Sequence, residues 1–350
     1  MNTPKIGIVD YAMYLPEKTI TAEELSPQVN IPAHVLREKM GIRRKFIGGP
    51  DDHPGEMTVK ASKAVLEKTG IDATEIDLII YTGESYAEYT CWTVGIYIQQ
   101  QIGATVDSCY AFDLSFRCAG VPLGLKVARE MMLADPNLKT VMVCGGNANA
   151  YLIDHEDPNQ SFMFNMSPSA FSAILKRDYD RNHLLGSAIL TDPVFATDVV
   201  GTHGGSRNHL TLEKAKAIVE NPALLNEFNK ISLTDPQGMK KRLAERSMPD
   251  FTSVVKQVCA ASGVETSSVD FLSMVATNPR AQFAIMDALD IDREKTEYLY
   301  DYGHCGHPDN WIALDLGIKS GKVKDGDLVC MLGAGTGYAF SSSLIRWGKA

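Results

Sequence analysis

Ala111-Phe112-Asp113-Leu114-Ser115-Phe116-Arg117-Cys118-Ala119-Gly120 is the stretch on which the reading of this chain turns. A short apolar strand runs toward Leu114 and bends into a helix, because Val121, Leu123, Leu125, Val127 and Ala128 follow with few polar interruptions. Cys118 stands at the bend. At a helix N-terminus the unpaired backbone N–H groups and the positive end of the dipole favour a thiolate, which suits attack on a thioester. A free cysteine is also commonly just a small buried hydrophobe, so position alone leaves both roles open.

Working outward, the chain contains an internal repeat. Val65–Ser85 aligns without a gap on Val258–Asn278, each reading as helix, glycine cap, turn, Asp, then a buried strand. Downstream, Cys109–Leu114 answers Glu297–Tyr302, and Thr140–Gly145 answers Asp327–Gly333. Two copies of one α/β unit imply a pseudo-twofold molecule in which equivalent strand ends meet. Ligands of open α/β sheets bind at the carboxyl ends of strands. The repeat therefore places chemistry at Glu84–Ser85, Ser115–Cys118, Thr277–Asn278, Gly303–His307 and the glycine turn Gly333–Gly337. The polar run from Lys176 to about Met248 reads as crossover and lid. The expected division is residues 1–178, carrying the cysteine, and 179–350, with 179–248 as crossover or lid.

Composition narrows the classes. A chain of 350 residues exceeds one ordinary core. A net charge of −9 argues against nucleic acid as the main partner. No apolar run is long enough to span a membrane, and no leader pattern precedes the first strand. Seven scattered cysteines suit a reducing compartment, so a cytoplasmic location is expected.

The nucleophile stretch resembles that of the thiolase superfamily, in its β-ketoacyl-acyl-carrier-protein synthase III branch, where a strand ending Ala-Phe-Asp leads to Cys-Ala-Gly. Phe116 and Arg117 stand where that family has small residues, giving a bulkier and more basic rim. The resemblance extends to Lys5–Pro16, to Gly41-Ile-Arg-Arg44, to Ile318–Tyr338 and to Ser341–Trp347. It implies an α/β fold of five αβαβα layers, duplicated about a pseudo-twofold axis. It also implies an acyltransferase or condensing enzyme with an acyl-Cys118 intermediate, fed by acyl-CoA or an acyl carrier protein. No permanently bound cofactor is implied; a homodimer is, within which the Cys91–Gln101 helix and the Thr140–Cys144 strand lie near the twofold.

The resemblance also exposes departures. The family's His-Gln-Ala-Asn motif falls on Val275-Ala276-Thr277-Asn278, so Asn278 matches while Val275 occupies the histidine position. Its Gly-Asn-Thr-Ser motif falls on Gly303-His304-Cys305-Gly306, with His304 in place of the asparagine. Valine moves no proton, so the decarboxylating pair is missing, and His304 becomes the base of a Cys–His dyad. Housekeeping fatty-acid initiation fits this poorly, and a specialised polyketide or secondary-metabolite pathway fits better. Thr82-Gly83-Glu84-Ser85 resembles the strand end of hydroxymethylglutaryl-CoA synthases, making Glu84 an alternative acid/base. A low-activity scaffold subunit of a synthase or thiolase complex is the remaining alternative. Lys39, Arg43 and Arg44 form a basic cluster for carrier phosphates, and Gly335 and Gly337 permit close backbone approach. His304, Cys305 and His307 lack a second ligand cluster, so no metal is expected.

Overall fold

The computed structural model describes residues 4–349. Its spine is a nine-stranded sheet: β1 (Ile6–Tyr14), β2 (Leu78–Tyr81), β3 (Tyr110–Asp113), β4 (Thr140–Asn147), β5 (Ser169–Arg177), β6 (His183–Thr191), β7 (Phe271–Met274), β8 (Leu328–Gly335) and β9 (Ala339–Arg346). They stand in the order β7-β8-β9-β6-β1-β5-β4-β2-β3. Each half repeats one pattern. β1 is antiparallel to β5, β5 to β4, and β4 parallel to β2; likewise β6 to β9, β9 to β8, and β8 parallel to β7. The halves join edge to edge between β1 and β6, where Gly7 pairs with His183.

Helices complete five layers. α3 (Gly120–Ala134) and α6 (Asp309–Lys319) lie between the half-sheets. Ile8, Phe171, Leu125, Trp311, Phe271 and Met331 join strands of both halves to both helices in one core. Outside the first half lie α1 (Pro54–Thr69) and α2 (Val94–Ile102); outside the second lie α4 (Pro236–Ala261) and α5 (Pro279–Ala288). The buried Val121, Leu125, Ala128 and Met132 of α3 recur at helical spacing, so a single stripe faces inward.

The repeat is physical as well as textual. Gly70 (φ 67°) and Gly263 (φ 69°) end equivalent helices in the left-handed region, where a Cβ is strained. Asp77 Oδ2 accepts from Lys139 N and Thr140 N, and its counterpart Asp270 Oδ2 accepts from Leu328 N. One carboxylate in each half thus pins the start of the neighbouring strand.

Three expectations are corrected. Glu297–Tyr302 is not a strand: the chain touches β7 through Leu272 N to Lys295 O and Thr296 Oγ1 to Leu272 O, then turns away. Within the stretch read as crossover and lid, His183–Thr191 is a full strand and Pro236–Ala261 a helix. Its pattern hid the strand because β6 alternates only weakly between buried and half-buried residues. The Thr140–Cys144 strand is interior and wholly buried, between β5 and β2, and β3 is the edge strand. Gly333 and Gly335 lie in β8 rather than in a turn.

Trp311 is fully buried, its ring stacked on Tyr11 at 4.7 Å and on Phe171 at 6.1 Å. Trp311→Ala is expected to cost about 3–5 kcal/mol. The urea midpoint, compared at equal slope with wild type, checks this.

Candidate active site

Cys118 lies in a one-turn 3₁₀ segment, Arg117–Ala119, just before α3. Arg117 takes φ 53°, a left-handed conformation uncommon for a residue with a side chain, and this sharpens the turn. Glycines of the other half let it pack. A Cβ on Gly335 would come within 3.0 Å of Cys118 N and 2.6 Å of Arg117 Cβ, and one on Gly333 within 3.0 Å of Ala119 Cα.

His304 reaches the thiol from the second half. Its Nε2 lies 3.2 Å from Cys118 Sγ, and its Nδ1 lies 2.5 Å from Asp309 Oδ2. Asp309 is fully buried in the first turn of α6. Its Oδ1 accepts from Cys305 N at 2.7 Å and its Oδ2 from Ala276 N at 2.7 Å. The histidine backbone is equally fixed: His304 N donates to Asn165 O, and Asn147 Nδ2 and Ser169 Oγ both donate to Cys305 O. Cys118, His304 and Asp309 form a hydrogen-bonded thiol–imidazole–carboxylate chain, the arrangement a nucleophile, its base and an orienting carboxylate would take.

Burial pushes the Cys118 thiol above its ordinary value, with His304 pulling the other way. The helix-terminus expectation of a favoured thiolate therefore gives way to desolvation. Burial also disfavours the charged form of His304, but Asp309 and Cys118 outweigh it and hold the imidazole well above its ordinary value.

On the other side of the thiol, Glu84 Oε1 lies 3.9 Å from Cys118 Sγ and 3.7 Å from His307 Nε2. Glu84 Oε2 accepts from Arg117 Nη1 at 3.2 Å. The remaining expected residues divide. Asn278 lines the cavity, but its Oδ1 caps α5 by accepting from Ala281 N, and no bond joins it to the Cys–His–Asp chain. Lys39 and Gly335 line the cavity. Arg43 stacks over Tyr300 and pairs with Asp301, as does Arg44, so neither lines it. Gly337 borders a smaller hollow beside Phe116 and Tyr338. No metal-holding cluster occurs among the described residues.

Asp309 is the functional residue that sequence reasoning missed. An acid after proline at a helix start reads as ordinary dipole compensation. Its only signal was proximity to His304.

The cavity in front of Cys118 measures about 1580 Å³ and runs from Lys39 and Met40 to Leu243 and Phe251. Residues 112–193 match the model for 3-oxoacyl-[acyl-carrier-protein] synthase III, and residues 259–347 match the model for its C-terminal part. These matches support a synthase III-like, thiolase-superfamily protein. The β-ketoacyl-[acyl-carrier-protein] synthase III of Synechocystis sp. is 25% identical over 350 residues, covering 99% of this chain and 100% of that protein. The crystal structure of 3-oxoacyl-[acyl-carrier-protein] synthase III from Aquifex aeolicus superposes with a TM-score of 0.80 at 22% identity, covering 98% and 100% of the two chains. A priming β-ketosynthase from a polyketide biosynthetic pathway superposes equally well, with a TM-score of 0.80 at 20% identity and coverage of 100% and 99%. This synthase III-like protein is thus an enzyme of the acyltransferase class and of the condensing-enzyme family.

Asp309→Asn removes the charge that raises His304. Acylation of Cys118 is expected to slow by about 10²–10⁴. The acid limb of its pH–rate profile should move to lower pH, because the base now titrates lower. Single-turnover acylation across pH reads both; partial unfolding would lower the amplitude without moving the limb.

Proposed function

We propose that this enzyme loads an acyl group from CoA or an acyl carrier protein onto Cys118 and passes it mainly to a nucleophile that His304 can deprotonate. The observation that carries this is the Cys118–His304–Asp309 chain, with Val275 buried at the cavity wall. In loading, the Cys118 proton moves to His304 Nε2 and sulfur bonds to the thioester carbonyl carbon. The carrier's C–S bond then breaks, and the leaving thiolate takes the proton. In transfer, His304 accepts the acceptor's proton, the acceptor heteroatom bonds to the acyl carbon, and the Cys118 thiol is restored.

Decarboxylative condensation needs something else: two donors on a developing enolate oxygen, each worth about 2.7–4 kcal/mol. Val275 donates nothing, and Asn278 holds its Oδ1 at the α5 cap, so at most its Nδ2 is left to donate. Condensation is therefore the slower reaction. A cavity larger than the roughly 300–1,000 Å³ of ordinary ligand sites supports a specialised substrate rather than a two-carbon starter alone. Lys39 and Lys230, both on its wall, suit the phosphates of the carrier. A hydroxymethylglutaryl-CoA-synthase-like condensation through Glu84 is the second reading, favoured by its 3.9 Å approach to Cys118. The complete chain of nucleophile, base and carboxylate argues against a scaffold role.

The test is intact-mass detection of acyl adducts, run alongside carbon dioxide release from malonyl-CoA. Wild type should acylate; Cys118→Ser should not, and His304→Ala should slow acylation by about 10²–10⁴. Carbon dioxide release should be slow in wild type and rise in Val275→His. Rapid release by wild type, unchanged in His304→Ala, would sink this reading. We also propose a cytoplasmic homodimer, supported by the edge position of β3 and by exposed Tyr110, Val106 and Ile96 beside it. Sedimentation at micromolar concentration should show a dimer; a monomer alone would exclude it.

A further inference from the structure

The charges around the cavity are segregated. Acidic side chains outnumber Lys and Arg, 43 to 34, over the whole chain. Yet Lys39, Arg117 and Lys230 are the Lys and Arg side chains lining the cavity among the described residues, no Asp or Glu lines it, and the carboxylate nearest Arg117, Glu84, is buried behind the wall. Lys39 and Lys230 are remote in sequence from the nucleophile. Arg117 is the residue immediately before it, and its left-handed φ of 53° holds its side chain at the reacting end. A guanidinium there serves neither the thiol nor His304, which Asp309 already balances.

Arg117 is also held loosely. Its side chain is 41% exposed, and Nη1 donates to Glu84 Oε2 at 3.2 Å and to Ser85 Oγ at 3.0 Å. Glu84 is the opposite case. Its side chain is fully buried, where a carboxylate left without a partner is strongly destabilising. A spare partner is present. His307 is fully buried, neither ring nitrogen has a hydrogen-bond partner, and Nε2 sits 3.7 Å from Glu84 Oε1. An orphaned buried imidazole is itself costly, and a small approach to Glu84 gives Nε2 a partner and the carboxylate a second donor.

We infer that Arg117 binds a carboxylate on the acyl group, so that the donor is the thioester of a short dicarboxylic acid, while His307 takes over Glu84 when Arg117 turns to the substrate. This rests on the acyl-loading reading above and names its substrate class. It agrees with the wall at Val275, since an enzyme slow to decarboxylate keeps the carboxylate that Arg117 would hold. Arg117 is the specificity residue; His307 is a positioning residue that acts through Glu84.

The experiment compares single-turnover loading of Cys118 by malonyl-CoA and by isovaleryl-CoA, a near-isosteric uncharged donor, followed by intact mass. A charge-assisted pair is worth roughly 10–100-fold here. Wild type should prefer malonyl by at least about 10-fold, and Arg117→Gln should lower that ratio by about 10–100-fold, with Arg117→Lys between them. His307→Ala should lower the ratio and His307→Gln, which still donates to Glu84, should restore it, an effect that general loosening would not produce. Equal or faster loading of isovaleryl by wild type overturns the inference, as does an unchanged ratio in Arg117→Gln. Loading of isovaleryl alone would sink this inference yet keep the acyl-loading reading, whereas no adduct from either donor would sink both.

Discussion

One buried carboxylate organises the site. Asp309 accepts the backbone N–H of Ala276 at the end of one strand, the N–H of Cys305 in the following loop, and the imidazole of His304. A charge taken out of water survives only when its lone pairs are satisfied, and here three donors satisfy them. The same bonds bring the β7 end and the 303–307 loop together and set the basicity of His304. Geometry and chemistry are therefore coupled through a single group.

The thiol depends on the opposite half for this base. Cys118 comes from the first copy of the repeat and His304 from the second, so neither copy holds a working site. The close approach relies on absent side chains: Gly333 and Gly335 of β8 lie where any Cβ would press on Ala119, Cys118 and Arg117. Duplication accounts for the architecture, and the joining of the two copies accounts for the site.

Two carboxylate–histidine pairs flank Cys118, and they differ in kind. Asp309 and His304 are in direct hydrogen-bond contact, which commits that imidazole to the thiol. Glu84 and His307 stand 3.7 Å apart, with Glu84 engaged by Arg117 instead. The first pair is a fixed base. The second has the slack that a change of partner requires.

Much of this was legible in the sequence. Hydrophobic periodicity, glycine caps and the repeated Asp77 and Asp270 exposed the duplicated α/β plan, because such signals are local and recur at set spacings. The turn at Cys118 and the histidine at 304 were readable from motifs. The strand at His183–Thr191 was not, since its alternation is shallow, and Glu297–Tyr302 looked like a strand without being one because pairing is decided by neighbours. Arg43, Arg44 and Asn278 looked available, and only folding showed them occupied by Tyr300, Asp301 and the α5 cap. Asp309 and His307 were visible as letters, but the role of Asp309 depends on its burial and on the thiol that His304 reaches from the other half, and that of His307 on its distance to Glu84, more than two hundred positions away in the chain. Sequence by itself determined the repeat, the position of the candidate cysteine at its turn, and the valine where the resembled family has its histidine. Tertiary structure alone decided which charges face one another, because desolvation and hydrogen bonding belong to the packed site and not to the string.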